Sequence, residues 1–174
     1  MRHIVLITTG GTIEKTYDES TGSLENRRSI VDRMLGRLRL LDTTVSINQL
    51  MSKDSLHMTE DDRATVAEAV RVALRRTPTG VVILHGTDTL EKTGEHLVQT
   101  LGKPASPVIL TGAMRPFEMR RSDALQNLTE AVFACGILSG GIYCVSHGQA
   151  LVFPGVTKDR VRQTFVRAST PRQE

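Results

Sequence analysis

Four short segments of the chain are continuously apolar, and they constrain the fold more than any other feature. They lie at residues 4–7, 81–84, 108–110 and 142–145. Segments this short, with no polar position among them, are typical of strands buried on both faces, as in a parallel sheet. A weaker segment with an alternating pattern, at residues 45–50, predicts a fifth strand. The core of the protein is therefore expected to be a mostly parallel sheet.

Helical patterns alternate with these strands. Apolar residues recur at the spacing of one helix face in residues 66–74, 90–101 and 124–132, with a fourth stripe at 30–41. Thr59 with Asp62 three residues later resembles a capping box at the start of the first of these helices. The alternation predicts an α/β fold with right-handed crossovers, a three-layer, Rossmann- or flavodoxin-like arrangement in which helices flank the sheet.

The length of 174 residues fits one compact domain. We expect this domain to span residues 1–169 and residues 170–174 to form a loose tail. No apolar segment approaches the ~20 residues that a membrane helix needs, and the N-terminus shows no leader pattern. Cys135 and Cys144 lie in apolar surroundings without the spacing of a metal site, which favours two buried thiols. The resulting expectation is a cytoplasmic protein with no membrane association.

The composition argues against a nucleic-acid partner. Aromatic residues make up only 3% of the chain and tryptophan is absent, which leaves little for stacking on bases. The formal net charge is only +3. The densest basic cluster falls on or beside the fourth helical stripe, where a solvated helix face explains it. Its members are Arg27, Arg28, Arg33, Arg37 and Arg39.

Small hydroxyl residues and glycines follow three of the strands. Residues 8–12 read Thr-Thr-Gly-Gly-Thr, residues 85–89 read His-Gly-Thr-Asp-Thr, and residues 111–114 read Thr-Gly-Ala-Met. In an open parallel sheet, ligands bind outside the carboxyl ends of the strands. Glycine allows a ligand to approach the backbone closely, and threonine supplies a hydroxyl. These strand ends are the candidate site, and the spacing of a phosphate-binding loop is absent from them.

The same residues resemble the bacterial L-asparaginase family. Residues 9–13 (TGGTI) are similar to its first signature, residues 85–91 (HGTDTLE) to its second, and residues 110–116 (LTGAMRP), followed by SDA at 122–124, to its third. Residues 51–58 align less tightly with the family's substrate-binding serine segment. Residues 156–158 (VTK) match the stretch that holds the family lysine. The similarity runs in the same order over nearly the whole chain.

The resemblance implies the fold of the asparaginase N-terminal domain and hydrolysis of L-asparagine to L-aspartate and ammonia through an acyl-enzyme. It implies no metal and no organic cofactor. Activity on L-glutamine is expected to be weak or absent. The preference between the two substrates stays open, because one methylene changes binding by only about 1–3 kcal/mol.

The resemblance also implies a catalytic set. Thr12 is the nucleophile, and an unassisted hydroxyl requires a neighbouring base and an orienting group. Thr87, Asp88 and Lys158 form a second polar set, in which Lys158 lowers the cost of deprotonating the Thr87 hydroxyl and Asp88 fixes Lys158. Typical members use a loop tyrosine about ten residues after the nucleophile, whereas here Tyr17 is only five residues away. Tyr17 is the candidate for that role, and whether it fills it stays open.

The implied substrate contacts come from the strand ends and the serine segment. Ser55 and Asp88 hold the α-carboxylate and α-amino groups of the substrate, and the loop that contains Ala113 lies against the amide. Gly11 and Thr87 complete this set. Asp88 is also suited to cap the helix that follows it, together with Glu91 three residues later.

Typical members carry a C-terminal domain, and a carboxylate from a partner subunit completes their site. This chain ends where that domain would begin, so both a short form of the enzyme and an isolated N-terminal domain stay open. We expect a homo-oligomer, a dimer or a tetramer. The alternative function is a non-catalytic amino-acid-binding or assembly module that kept the fold. His85 and His147 are interpreted as strand-end residues rather than ligands.

Overall fold

The computed structural model describes residues 1–26 and 29–168. The strands in chain order are β1 (Arg2–Gly10), β2 (Thr16–Asp18), β3 (Ser23–Glu25), β4 (Thr43–Lys53), β5 (Gly80–Leu84), β6 (Pro107–Thr111), β7 (Gly141–Ser146), β8 (Gln149–Val152), β9 (Val156–Asp159) and β10 (Thr164–Arg167). The α-helices are α1 (Val31–Leu35), α2 (Glu60–Leu74), α3 (Leu90–Leu101) and α4 (Ala124–Ala134), and single 3₁₀ turns lie at Thr12–Glu14 and Ser55–His57.

A six-stranded sheet in the order β4-β1-β5-β6-β7-β8 forms the middle of the molecule. The first five strands are mutually parallel, and β8 runs antiparallel to β7. Counted among themselves along the chain, the five parallel strands have the order 2-1-3-4-5 of flavodoxin-like sheets. The α/β fold predicted from the sequence is confirmed, and all five predicted strands are present. The strand order reverses between β1 and β5, where such sheets bind their ligands.

Each face of the sheet packs against its own pair of helices. Successive strand residues point to opposite faces, so Val5 and Ile7 join the core formed with α2 and α3, whereas Ile4 and Leu6 join the core formed with α1 and α4. These four side chains are almost completely buried. The continuous apolar segments therefore have the physical origin that the sequence indicated, because both faces of the sheet are covered.

The predicted capping box of α2 is present. Thr59 Oγ1 accepts a hydrogen bond from the Asp62 N–H at 3.3 Å, and the Asp62 carboxylate accepts one from the Thr59 N–H at 2.8 Å. Lys53 Nζ lies 2.7 Å from the same carboxylate. The hydrogen bond from Lys53 and that from the Thr59 backbone lower the pKa of Asp62 to about 2. The box joins the end of β4 to the start of α2.

The helix predicted at residues 30–41, which is α1 in the structure, is shorter than its apolar stripe. The helix α1 ends at Leu35, since Gly36 follows and glycine costs about 1 kcal/mol inside a helix. Beyond it the chain continues in tight turns, and Leu38 still packs against the core. The stripe was thus a correct signal of burial but a wrong signal of helix length. Arg37 and Arg39 lie beyond the helix, and Arg27, Arg28 and the predicted tail at 170–174 fall outside the described residues.

Three strand pairings were not predicted from the sequence: β2 with β3, β8 with β7, and β9 with β10. All of these strands except β7 have three or four residues each, too few for a period to be recognised. Cys135 and Cys144 are buried, as predicted, and burial raises the pKa of both thiols to about 12. No helix within the described ranges is long and apolar enough to cross a membrane.

Candidate active site

Glycines at the strand ends allow the loops of the candidate site to pack in close contact. Gly11 has a φ of +84°, and a Cβ added there would lie 2.4 Å from the Gly86 nitrogen. A Cβ at Gly86 would lie 2.5 Å from Ser55 Oγ, and one at Gly112 would lie 2.3 Å from the His85 carbonyl oxygen. Any larger residue at these positions would separate the loops. The ends of β1, β5 and β6 and the Ser55 turn therefore meet at one edge of the sheet.

Thr12 begins a single 3₁₀ turn that is fixed from both sides. Glu14 Oε2 accepts a hydrogen bond from the Gly10 N–H at 3.1 Å, and burial raises the pKa of this carboxyl group although hydrogen bonds partly oppose the shift. Lys15 Nζ lies 3.0 Å from Asp54 Oδ2. The hydrogen bond from Lys15 lowers the pKa of Asp54, which caps the neighbouring Ser55 turn. The half-buried Thr12 side chain is thus held on a tightly braced turn.

Thr87, Asp88 and Lys158 lie together, although the lysine is about 70 positions away in the sequence. Lys158 Nζ donates hydrogen bonds to Thr87 Oγ1 and to Asp88 Oδ1, both at 2.8 Å. The Lys158 side chain is only 9% exposed, and that of Asp88 is 29% exposed. A more exposed guanidinium, that of Arg160, lies 3.6 Å from the same carboxylate oxygen. A hydroxyl, an ammonium and a carboxylate therefore form one continuous polar group at the end of β5.

The predicted capping of α3 by Asp88 and Glu91 is wrong. The N-terminus of α3 has no side-chain cap, and Glu91 Oε2 instead accepts the backbone N–H of Lys158 at 2.8 Å. One helical turn later, Glu95 Oε1 accepts the Gly155 N–H at 2.7 Å. Neither contact was predicted from the sequence. Their only local signal is the spacing of two glutamates by four residues, which puts them on the same helix face.

Ser55 and Ala113 are both buried at the meeting point of the loops, with about 1% of their surface exposed. The Ser55 carbonyl accepts a hydrogen bond from Thr89 Oγ1 at 2.8 Å. Its hydroxyl oxygen has no hydrogen-bond partner among the described residues. A buried hydroxyl without a partner typically costs about 1–3 kcal/mol, and such groups require a particular explanation. A bound polar ligand would supply the missing hydrogen bond.

A second polar network supports the loop after β6. The Asp123 carboxylate accepts the N–H groups of Met114 at 2.9 Å and Arg115 at 3.0 Å, and lies 2.8 Å from His147 Nε2. His147 Nδ1 lies 2.9 Å from Thr164 Oγ1 in β10. Burial alone would raise the pKa of Asp123, but these hydrogen bonds together hold it below its usual value. His147 thus joins the loop beside Ala113 to the hairpin that carries the lysine.

The structure does not bring Tyr17 into this group. Tyr17 lies in β2, is 58% exposed, and its backbone N–H donates to Glu118 at 3.1 Å. No hydrogen bond of its hydroxyl is present among the described residues. His85 follows β5, as predicted, with Nε2 2.8 Å from Thr93 Oγ1. Complete burial lowers the pKa of His85 to about 4, so the imidazole is neutral at pH 7.

Within residues 1–26 and 29–168, no group of three or more His, Cys, Asp or Glu side chains could hold a metal ion. The strand ends and β9 instead present hydroxyls, one carboxylate and one ammonium. Such a set can form ion pairs with a charged ligand, and an ammonium beside a hydroxyl lowers the cost of deprotonating it.

Comparison with known proteins identifies relatives of this arrangement. The family described as "Asparaginase, N-terminal" matches residues 3–169. The chain is 30% identical over 150 residues to a glutamyl-tRNA(Gln) amidotransferase subunit of Methanococcus vannielii, a match that covers 86% of this chain and 35% of that protein. Among solved structures, it is similar to the thermostable L-asparaginase from Thermococcus kodakarensis, with a TM-score of 0.84 and 28% identity over 97% of this chain and 52% of that one.

A probable cytoplasmic L-asparaginase from Campylobacter jejuni has a TM-score of 0.77 and 27% identity, over 91% of this chain and 48% of that one. The chain thus spans about half the length of these solved relatives and about a third of the length of the curated relative.

Proposed function

This chain belongs to the asparaginase family, and on that premise we propose that it hydrolyses the side-chain amide of L-asparagine to L-aspartate and ammonia. The observation that carries the proposal is the position of Lys158 Nζ, 2.8 Å from both Thr87 Oγ1 and Asp88 Oδ1. A nearly buried ammonium in contact with a hydroxyl favours the deprotonated form of that hydroxyl, which is one way in which a hydroxyl is activated.

In the proposed first step, Thr12 Oγ attacks the carbon of the side-chain amide. The C–N bond then breaks, the threonine proton leaves with the amine as ammonia, and an ester joins Thr12 to the substrate. The braced turn that holds Thr12 supports this role, because a nucleophile on a fixed turn loses little entropy when it reaches the attacking geometry.

In the proposed second step, water hydrolyses the ester. The water oxygen would bond to the acyl carbon and pass a proton to Thr87 Oγ1, while the Thr87 hydroxyl passes its own proton to Thr12 Oγ1 as the bond between that oxygen and the acyl carbon breaks. The Lys158 ammonium would stabilise the negative charge that develops on Thr87 Oγ1 during this transfer. Asp88 holds Lys158 in place through their 2.8 Å contact. The aspartate product then leaves.

We propose that the substrate's α-carboxylate and α-ammonium bind near Ser55 and Asp88. The buried Ser55 hydroxyl without a described partner supports this assignment, since it could donate a hydrogen bond to a carboxylate oxygen. Gly11 and Ala113 would border the amide group. The role of Tyr17 as the assisting tyrosine stays a prediction.

We further propose that the protein acts in the cytoplasm as a homo-oligomer, in which a neighbouring subunit covers the strand-end site. Closed symmetric assemblies are the usual way in which soluble proteins provide such cover. Sedimentation at working concentration tests this part, and a strict monomer that retains activity would contradict it.

A second candidate is an amide-hydrolysing subunit of an amidotransferase, which the curated relative named as an amidotransferase subunit favours. The non-catalytic binding module is the remaining alternative. Turnover of free asparagine by the isolated chain separates these possibilities, because a subunit that depends on its complex would turn over little free substrate and a binding module would turn over none.

The direct test is ammonia release from L-asparagine and, in parallel, from L-glutamine. Thr12→Ala should lower kcat by several orders of magnitude while the melting temperature stays unchanged. Thr100→Ala, an exposed threonine on α3, is the matched control and should keep full activity. If Thr12→Ala retains more than about a tenth of the wild-type rate, Thr12 is not the nucleophile.

A further inference from the structure

Two glutamates on α3 hold the chain segment that delivers Lys158. Glu91 accepts the backbone N–H of Lys158 at 2.8 Å, and Glu95 accepts the backbone N–H of Gly155 at 2.7 Å. The two carboxylates are four residues apart, so they lie one above the other on the same face of the helix. Both are half-buried. They make the same kind of contact, to the same segment, from adjacent turns.

Only one of these contacts closes a ring through the candidate site. Thr87 and Asp88 immediately precede α3, Glu91 lies in its first turn, and Glu91 binds the backbone of Lys158. The Lys158 ammonium then returns to Thr87 and Asp88. The contact of Glu95 with Gly155 lies outside this ring. One short helix therefore fixes both ends of the lysine, its backbone through Glu91 and its ammonium through the residues before the helix.

We propose that Glu91 is a positioning residue for the Lys158 ammonium, and the proposal rests on the function proposed above. A lysine side chain has four rotatable bonds and a large rotamer entropy. Its Nζ stays in contact with two oxygens only if the backbone that carries it is fixed relative to them. The hydrogen bond from a backbone N–H to a charged carboxylate is the stronger kind, and it places that backbone at the first turn of α3.

Glu91 has two properties that could fix Lys158, and two substitutions separate them. Its oxygen accepts the Lys158 N–H, and its negative charge lies near the start of the lysine side chain. Glu91→Gln keeps an acceptor of the same length and removes the charge, whereas Glu91→Ala removes both. If position is what matters, Glu91→Gln should rescue most of what Glu91→Ala loses.

The experiment compares Glu91→Ala, Glu91→Gln and Glu95→Ala in kinetics and in thermal unfolding. Both alanine variants lose one hydrogen bond to a charged group and should lower the melting temperature similarly. We expect Glu91→Ala to lower kcat at least about 10-fold, with a smaller change in KM, in line with the loss of one such hydrogen bond. Glu91→Gln and Glu95→Ala should stay within about 3-fold of wild type on the same scale. Equal kcat in the two alanine variants would overturn the proposal.

A second readout does not need activity. In protein with ¹³C-labelled lysine, the two Hε protons of Lys158 should have separate resonances while the side chain is fixed, and a Lys158→Arg sample assigns them. Glu91→Ala should merge the two resonances and Glu95→Ala should keep them apart. Separate resonances in both variants refute the positioning role. Absence of ammonia release from wild type, with this spectral contrast intact, refutes the proposed asparaginase activity alone.

Discussion

Replacement of Asp88 by Asn tests whether the pair of Asp88 and Lys158 acts as one unit. The substitution keeps the shape of the side chain and removes its charge. The Lys158 side chain is 9% exposed, so its ammonium would stay largely out of water with the Thr87 hydroxyl and a neutral amide as its contacts. Arg160, 3.6 Å from the lost carboxylate oxygen, would add repulsion.

The expected loss of stability follows from these exposures. Removal of one partner of a fully buried ion pair costs about 3–5 kcal/mol. Asp88 is 29% exposed, so water screens part of this effect, and the loss of one charged hydrogen bond at about 1.5–3 kcal/mol is the better guide. For a domain of this size the melting temperature should fall by roughly 3–12 °C. The double variant Asp88→Asn/Lys158→Met should be more stable than Asp88→Asn alone, because no ammonium is left without its counter-ion.

Urea unfolding of the two single variants and the double variant measures this coupling, and ammonia release measures its catalytic counterpart. The double variant should lose about as much kcat as either single variant, since the effects of substituting residues that act as one unit do not add. Asp88→Asn should also raise KM, because the α-ammonium of the substrate loses a charged partner. Stability losses that add to within about 0.5 kcal/mol, together with rate losses that multiply, would show that the two residues act separately.

Two further predictions concern His85 and His147, the histidines beside the candidate site. His85 resists protonation down to about pH 4, whereas the unfolded chain binds this proton near pH 6.5, so the free energy of unfolding should fall as the pH drops through this window. His85→Gln should reduce the fall between pH 7.5 and 4.5 by up to about 3 kcal/mol, as measured by urea unfolding at both pH values, and an unchanged fall would contradict the assignment. His147→Leu should cost about 1–3 kcal/mol, because it leaves Asp123 and Thr164 without their shared partner. In thermal unfolding, Thr164→Val should cost less, since Asp123 then keeps its histidine; equal losses would refute this account.

Most of the fold could be predicted because its strands are buried on both faces. A continuous apolar segment such as residues 81–84 has a clear pattern, since helices cover both sides of β5. The stripe at 30–41 gave a helix that is too long because burial persists after the helix ends at Leu35. Strand β8 was missed because it packs on one side only and three of its four residues are exposed. The pattern of apolar residues along the chain therefore indicates which positions are buried more directly than it indicates the backbone conformation.

Some residues of the candidate site could likewise be predicted from local sequence, and others could not. Residues that follow strands, such as Thr12 and Thr87, could be located from local sequence, because parallel strands place their carboxyl ends at one edge. The family resemblance supplied Lys158, which no local pattern would have linked to Asp88. The contact of Glu91 with the Lys158 backbone could not be predicted at all. It depends on where a hairpin of four-residue strands passes a helix 67 residues earlier in the chain.

The glycines connect the fold to the chemistry of the candidate site. Gly11 and Gly86 lie on either side of the point where the strand order reverses. A Cβ added to either would lie 2.4–2.5 Å from an atom of a neighbouring loop and would push the loops apart. This close approach lets the turn of Thr12 and the segment of Thr87 share one small volume. The start of α3 then places Glu91 within reach of the strand that carries the lysine. The backbone geometry of two strand ends therefore determines which side chains can cooperate, and the helix that begins there determines whether the lysine stays among them.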